Sequence, residues 1–110
     1  WYFGKSLDGF TPLGPCIITE DEVPYPPELA ISSTVNGETR QNSNTRCLLH
    51  SISEIIAELS QGMTLLAGTI IATGTPAGVG MGFNPPKFLT SGDIVTCEIE
   101  KIGKLTNMVK

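Results

Sequence analysis

The sequence predicts a mixed, β-dominated fold with one short amphipathic helix. Two stretches alternate apolar and polar residues with the period of a strand, whereas a single stretch has the apolar spacing of a helix. The 110 residues include 12 glycines and 8 prolines, and only 16% are charged, which is typical of a turn-rich globular protein and not of a disordered one. A chain of this length builds one small domain at most, and we expect it to bury well over half of its unfolded surface.

Charge and hydropathy exclude two classes of partner. The formal net charge is −4, the sequence pI is near 4.8 and no basic stripe is present, so we do not expect a nucleic-acid partner. No apolar run approaches the roughly 20 residues that cross a membrane. Cys16, Cys47 and Cys97 lack metal-ligand or paired-redox spacing. We therefore expect reduced thiols in an intracellular protein.

The first fifteen residues indicate a chain that starts inside an element and continues as a loop. Trp1-Tyr2-Phe3 is an aromatic start without an initiator methionine, so we expect that the beginning of its element is missing. Residues 4–15 are dense in turn formers and predict a structured loop. Lys5 has apolar neighbours there, which could desolvate it and hold it against a carbonyl or enolate oxygen. A solvated surface lysine is the alternative interpretation.

A short strand and a hairpin are predicted next. Residues 16–19 are expected to form a short buried strand that ends at the acidic residues 20–22, which favour a solvated turn over a metal site. Residues 29–35 alternate in polarity and lead to Asn36-Gly37, a strong hairpin signal. The return strand over residues 38–42 is polar. It either faces solvent or, with the amides and hydroxyls that follow it, lines a polar cleft or an interface.

One helix is predicted after the hairpin. Ser51 and Glu54 match a capping box, and the apolar residues that follow fall on one helical stripe. Gly62 stands where a helix ends in the left-handed conformation. His50, the single histidine, precedes the cap without a partner at a recognisable spacing, which favours a local structural role over that of a general base.

A buried strand over residues 69–72 is predicted to run into a glycine-rich loop over residues 73–80. Gly74 and its neighbouring glycines allow backbone N–H groups to approach a ligand closely, and Thr73 and Thr75 add hydroxyls. Such a loop suits a carboxylate or a developing enolate oxygen. A tight turn without a ligand is the alternative. The glycine spacing fits neither a dinucleotide fingerprint nor a P-loop, because no helix can start after it and no lysine followed by Ser or Thr closes it.

The C-terminal residues predict a two-stranded ribbon. Residues 94–99 alternate in polarity, residues 101–103 supply a turn and residues 104–109 return. Glu98 and Glu100 resemble the paired carboxylates of a metal site, but both belong to the outward face of the strand, so we expect them to be solvent-exposed.

With these segments in place, the chain resembles the fumarylacetoacetate hydrolase superfamily over nearly all 110 residues, in the branch of the 2-hydroxyhepta-2,4-diene-1,7-dioate isomerases. Four motifs occur in family order. They are Gly4-Lys5-Ser6-Leu7-Asp8 with Thr11-Pro12-Leu13-Gly14-Pro15; Val35-Asn36-Gly37-Glu38 with Gln41-Asn42-Ser43-Asn44-Thr45; Ala72-Thr73-Gly74-Thr75-Pro76-Ala77-Gly78-Val79-Gly80; and Ser91-Gly92-Asp93 leading to Glu98-Ile99-Glu100-Lys101-Ile102-Gly103.

The resemblance implies a fold, a chemistry and roles for three residues. It implies that residues 1–110 are the C-terminal portion of a single catalytic domain, a β-roll that is often dimeric. Lys5 matches the family's active-site lysine, which contacts a keto or enolate oxygen. Thr75 matches a substrate-binding threonine, with Gly74 beside it. Gly9 stands where several members have a threonine that donates to a cation.

The resemblance also implies a cofactor and a substrate class. Members use Mg²⁺, or Mn²⁺ or Ca²⁺, to hydrolyse, decarboxylate or tautomerise 2-oxo acids and 1,3-dicarbonyls. The cation's carboxylate ligands lie upstream of the Gly-Lys-Ser motif in the family, so no metal ligand is assigned in this chain. A homodimer in mitochondria or the cytoplasm is expected, and residues 1–110 alone are expected to be inactive. The alternatives are a catalytically silent relative with a structural or interaction role, and a metal-free enzyme that forms a Schiff base on Lys5.

Overall fold

A four-stranded antiparallel sheet is the main element of the structure, a computed structural model that describes residues 2–110. The strands lie in the order β2-β1-β3-β4. Their bounds are β1 Ala30–Val35, β2 Glu38–Asn44, β3 Ile94–Ile99 and β4 Gly103–Met108. The predicted hairpin and the predicted C-terminal ribbon are both confirmed, and β1 and β3 join them into one sheet.

The turn between β1 and β2 also fixes the start of β3. Asn36 and Gly37 have φ angles of 52° and 82°, the left-handed pair that a two-residue hairpin turn requires. The Asn36 side chain donates to Asp93 Oδ1 at 2.8 Å and accepts from the backbone N–H of Ile94 at 2.9 Å. The hydrogen bonds that Asp93 accepts, first from the Thr90 backbone and then from Asn36, hold its pKa below the usual value. One turn therefore aligns three strands.

The acidic residues at the end of β3 are exposed, as the sequence predicts. Glu98 pairs with Lys104 of β4 at 3.4 Å, directly across the ribbon. Glu100 lies in the turn after β3 and accepts a hydrogen bond from the backbone N–H of Ala30 at 3.0 Å. Both carboxylates thus support the sheet.

The predicted amphipathic helix is present as α2, Ile52–Ser60. Ser51 and Glu54 form the capping box in both directions. The expectation for its C-terminus is wrong: the helix ends at Gln61 in the right-handed conformation, and Gly62 does not have a positive φ. A hydrogen bond from the Met63 N–H to the Leu59 carbonyl closes the last turn without a left-handed residue.

Residues at the start of the chain differ from the predicted loop. A one-turn helix, α1, spans Tyr2–Lys5, so Lys5 ends a helix and does not lie within a loop. Trp1, and the Tyr2 side chain, fall outside the described residues. The turn formers that follow α1 do form irregular backbone up to residue 29.

Two predicted buried strands are wrong. Residues 16–19 and 69–72 have no regular secondary structure, and neither segment pairs with a strand in the described part of the chain. The Ile17 side chain is 93% exposed and that of Ile70 is 67% exposed. Both segments have the apolar, β-branched composition that favours strands. A strand also needs a neighbouring strand for its backbone hydrogen bonds, and neither segment pairs with β2 or β4, the two edge strands of the sheet.

The buried core is thin. Among residues 3–110, whose side chains the structure describes, Leu29 and Val35 are the buried apolar residues, at 5% and 7% exposure. The surface area is 8849 Å², compared with about 17,000 Å² for an unfolded chain of this mass, so about half is buried. The expectation of well over half is therefore too high, because large apolar residues outside the sheet remain exposed.

No helix in the described range is long and apolar enough to cross a membrane.

Candidate functional site

A cleft of about 330 Å³ lies between the glycine-rich loop and the chain that follows β2. The loop contributes residues 73–76, and the end of β2 and its continuation contribute residues 43–45 and 47–50. Ile31 and Ile55 complete the lining. A mostly apolar cleft with a few convergent hydroxyl and amide groups is the usual form of a small-molecule site. Of the two alternatives left open for the polar strand, the structure favours the one in which its end lines a cleft.

Gly74 gives this cleft an open stretch of backbone. Its φ angle is +104°, a conformation that residues with a Cβ rarely adopt. A Cβ built there would meet no atom within 4 Å, so glycine is required for the backbone angle and not for lack of space. Gly74 itself lines the cleft, beside Thr73 and Thr75.

Thr75 is held by a side chain of the sheet. Gln41 of β2 donates through Nε2 to Thr75 Oγ1 at 2.7 Å and to the Pro76 carbonyl at 2.9 Å. The Gln41 Oε1 accepts from Ser33 Oγ of β1 at 3.0 Å. The position of the exposed Thr75 hydroxyl is therefore fixed from the sheet. The 34-residue separation between Gln41 and Thr75 left no pattern in the sequence from which this partnership could be predicted.

Farther along the loop, two glycines allow backbone to lie directly on backbone. A Cβ on Gly78 would stand 1.9 Å from the Arg40 carbonyl oxygen, and one on Gly80 would stand 2.3 Å from that of Lys87. Both distances are far below any van der Waals contact. The loop can rest on β2 only because Gly78 has no side chain, and it can lie against the backbone of Lys87 only because Gly80 has none.

A charged cluster fastens the same loop to β2. Lys87 donates a hydrogen bond to Glu38, and this bond is the main reason that the pKa of Glu38 lies below its usual value. Arg40 Nε lies 3.4 Å from Glu38 Oε2 but has no hydrogen-bond partner with good geometry. Arg40 and Lys87 also face the Phe83 ring, at 5.4 and 5.0 Å from its centre. These contacts hold the chain that follows the glycine-rich loop, at Phe83 and Lys87, against β2.

Lys5 lies apart from these groups. It is exposed at the end of α1 and is not among the residues that line the cleft. Its apolar neighbours Phe3 and Phe10 are 78% and 62% exposed, so in this structure they do not shield Lys5 from solvent. Thr11 Oγ1 donates to the Lys5 carbonyl at 2.8 Å, which folds the following turn back onto α1. The catalytic role of Lys5 stays a prediction.

His50 has a position that the sequence did not indicate. It lines the same cleft as Gly74 and Thr75, although the sequence favoured a local structural role.

The described residues contain no cluster of metal ligands. Over residues 2–110, no group of three or more His, Cys, Asp or Glu side chains is placed to hold an ion.

The geometry outlines a candidate small-molecule site on a β-dominated fold, lined on one side by the glycine-rich loop. The family model described as fumarylacetoacetate (FAA) hydrolase C-terminal matches residues 1–110. The chain belongs to the fumarylacetoacetate hydrolase family. It is 49% identical over 109 residues to the oxaloacetate tautomerase YisK of Bacillus subtilis (strain 168), covering 99% of this chain and 36% of that protein. The chain thus spans about a third of the length of this relative.

Solved structures agree with this assignment. The fumarylacetoacetate hydrolase of the psychrophilic Exiguobacterium antarcticum matches with a TM-score of 0.92 and 52% identity, over 98% of this chain and 39% of that one. The maleylpyruvate hydrolase of Sphingobium sp. SYK-6, in complex with manganese(II) and pyruvate, matches with a TM-score of 0.85 and 42% identity, over 97% and 38% of the two chains. The predicted family and the predicted β-dominated fold are confirmed.

Proposed function

We propose that the full-length protein is a metal-dependent enzyme that acts on 2-oxo acids or 1,3-dicarbonyls by stabilising an enolate. The observation that supports this best is the Thr75 hydroxyl, held by Gln41 at 2.7 Å beside the open backbone of Gly74 and at the edge of the cleft. A hydroxyl and bare amides together suit an anionic or polarised oxygen. The relatives support the substrate class, since their names include oxaloacetate and maleylpyruvate.

In this proposal the two predicted residues act on different oxygens of the substrate. Thr75, with Gly74, orients a carboxylate or carbonyl oxygen through its hydroxyl and the loop amides. The Lys5 ammonium group stabilises the negative charge that develops on the keto oxygen when a neighbouring C–H or C–C bond breaks. Hydrolysis, decarboxylation and keto–enol tautomerisation all pass through such a charge, so this constellation is compatible with each of them.

We also propose that a divalent cation, Mg²⁺ or alternatively Mn²⁺ or Ca²⁺, takes part in the reaction. The manganese in the Sphingobium relative supports this. Because the described residues contain no cluster of ligands, the cation would be held by residues outside this chain, and no step of the chemistry is assigned to it here. A homodimer in mitochondria or the cytoplasm completes the proposal. The three free cysteines support an intracellular location.

The test is substitution of the two residues in the full-length protein, with oxaloacetate or an acylpyruvate as substrate. Lys5→Met should lower kcat by ~10²–10³ while Mg²⁺ affinity stays the same, because one preorganised charge-stabilising donor is lost. Thr75→Val should cost roughly 1–3 kcal/mol in kcat/KM, since it keeps the shape and removes the hydroxyl. Thr75→Ser is the matched control and should retain most activity. Unchanged kinetics in Lys5→Met and Thr75→Val would refute the proposal.

The same proposal predicts that residues 1–110 alone neither turn over substrate nor bind Mg²⁺ tightly. The part of the chain that the structure describes offers no cluster of His, Cys, Asp or Glu side chains for a cation that requires near-octahedral oxygen coordination, and its exposed apolar side chains should also promote association. Calorimetry with Mg²⁺ and a turnover assay on the 110-residue chain measure both properties. Sub-millimolar Mg²⁺ affinity with measurable turnover would contradict this prediction.

A further inference from the structure

We propose that Gln41 is a positioning residue that makes Thr75 a hydrogen-bond donor toward the substrate, so that the loop selects an acceptor oxygen. This inference rests on the proposed function, because it assumes that Thr75 contacts the substrate. It adds a residue that does not itself touch the substrate, and it specifies the chemical character of the group that the loop binds.

The orientation of the Gln41 amide follows from its partners. The Pro76 carbonyl can only accept a hydrogen bond, so the amide atom 2.9 Å from it must be the NH₂ group. The other amide atom then faces Ser33 Oγ at 3.0 Å, where it accepts the serine proton. Swapping the two amide atoms would place two acceptors against each other at Pro76. The amide therefore has one favourable orientation.

This orientation decides what Thr75 can do. Nε2 of Gln41 donates to Thr75 Oγ1 at 2.7 Å, which occupies one lone pair of that oxygen. A threonine hydroxyl has one proton to donate, and in the described part of the chain no acceptor receives it. The proton is therefore available to a ligand. A carboxylate, keto or enolate oxygen can accept it, whereas an ammonium group could use only the remaining lone pair of Thr75 Oγ1.

Gln41 is suited to this task because the sheet holds it in place. It is half-buried on β2 and lies opposite Ser33 of β1. The register shifts between Ser33 and Thr34, so that Arg40 is an extra residue on β2 and forms a β-bulge next to Gln41. Bulges redirect neighbouring side chains and are common beside functional sites. The side chain of Gln41 thus links a fixed strand to a loop whose glycines would otherwise leave it adaptable.

The experiment is a double-mutant cycle in the full-length protein, with pyruvate binding measured by calorimetry. Gln41→Met removes the amide without adding charge, and Thr75→Val removes the hydroxyl. We expect each single variant to lower the affinity for pyruvate by about tenfold, the usual effect of one lost hydrogen bond of this kind. In the Thr75→Val background, Gln41→Met should lower the affinity for pyruvate by less than a further factor of about two, because Gln41 acts through Thr75.

Two further variants separate positioning from a general structural role. Gln41→Glu keeps an acceptor for Ser33 but cannot donate to Thr75 or Pro76, so it should weaken pyruvate at least as much as Gln41→Met. Ser33→Ala removes only the bond on the other side of the amide, and should change pyruvate affinity by less than about threefold. Thermal unfolding of each variant provides the folding control.

The outcomes distinguish this inference from the proposed function. If Gln41→Met weakens pyruvate equally with and without the Thr75 hydroxyl, Gln41 acts independently of Thr75 and the inference is overturned. The same holds if Thr75→Val weakens pyruvate and Gln41→Met does not, although the proposed function then survives. If both variants bind pyruvate normally, the loop does not contact the substrate, and the proposed role of Thr75 fails together with the inference. Should Gln41→Met not fold, Gln41→Leu, which is also uncharged and lacks the amide, supplies the same cycle.

Discussion

The sheet and the glycine-rich loop are held in place by different kinds of contact. Neighbouring strands of the sheet are joined by backbone hydrogen bonds along their length, with a defined residue-to-residue register. Residues 73–78 make no backbone-to-backbone hydrogen bond in the described structure, and Gln41 supplies side-chain donors instead. Farther along, the loop rests on the Arg40 carbonyl through Gly78. The loop therefore takes its shape from the sheet, which explains how a flexible sequence can present a fixed hydroxyl.

The largest effect expected from this contrast is the destabilisation caused by a substitution at Gly78. Gly78→Ala combines a φ of +110° with a Cβ that would stand 1.9 Å from the Arg40 carbonyl oxygen, so we expect it to destabilise the full-length protein by about 4 kcal/mol or more. Gly74→Ala is the matched control, since it shares the positive φ but meets no atom within 4 Å. It should cost about 1–3 kcal/mol. Chemical denaturation measures both, and equal losses would mean that the loop does not rest on β2.

The second test is at the core of the sheet. Leu29→Ala removes one of the two buried apolar side chains, and its backbone is tied to Thr45 by hydrogen bonds at both the N–H and the carbonyl. We expect a loss of about 2–5 kcal/mol in the free energy of unfolding of the full-length protein. Leu29→Met conserves volume and should cost less than about 1.5 kcal/mol. A loss below that value for Leu29→Ala would show that the sheet does not depend on this core position.

The smallest effect concerns the charged cluster that ties the loop to β2. The pKa of Glu38 is lowered, chiefly by the hydrogen bond from Lys87, so the ionised carboxylate is favoured in the folded protein. Its contribution to stability is present above its ordinary pKa of 4.5 and is lost as the pH falls through the lowered folded value. Glu38→Gln should therefore lower the unfolding temperature slightly at pH 7 and flatten its dependence on pH below 4.5. An identical pH profile in the variant would contradict this.

The same contrast explains which parts could be predicted from the sequence. The Asn36-Gly37 turn, the capping box at Ser51 and the C-terminal ribbon depend on neighbouring residues, and each is confirmed. The strand predicted around Ile70 fails because a strand needs a neighbour, and periodicity does not identify one. Gln41 was included only in a polar strand, since a side chain that bonds 34 residues away leaves no local pattern. Local signals were sufficient for the hairpin and for the ribbon, but not for the β1–β3 pairing that joins them or for the contacts that position Thr75.

The central claim is that the exposed end of α1 and the glycine-rich loop act on one ligand. A crystal structure of the full-length protein with Mg²⁺ and pyruvate tests it most directly. We predict Thr75 Oγ1 about 3 Å from an oxygen of pyruvate, with Gln41 Nε2 still donating to it, and Lys5 Nζ about 3 Å from the keto oxygen. Pyruvate bound away from both Thr75 and Lys5, in a site that still supports turnover, would contradict the account.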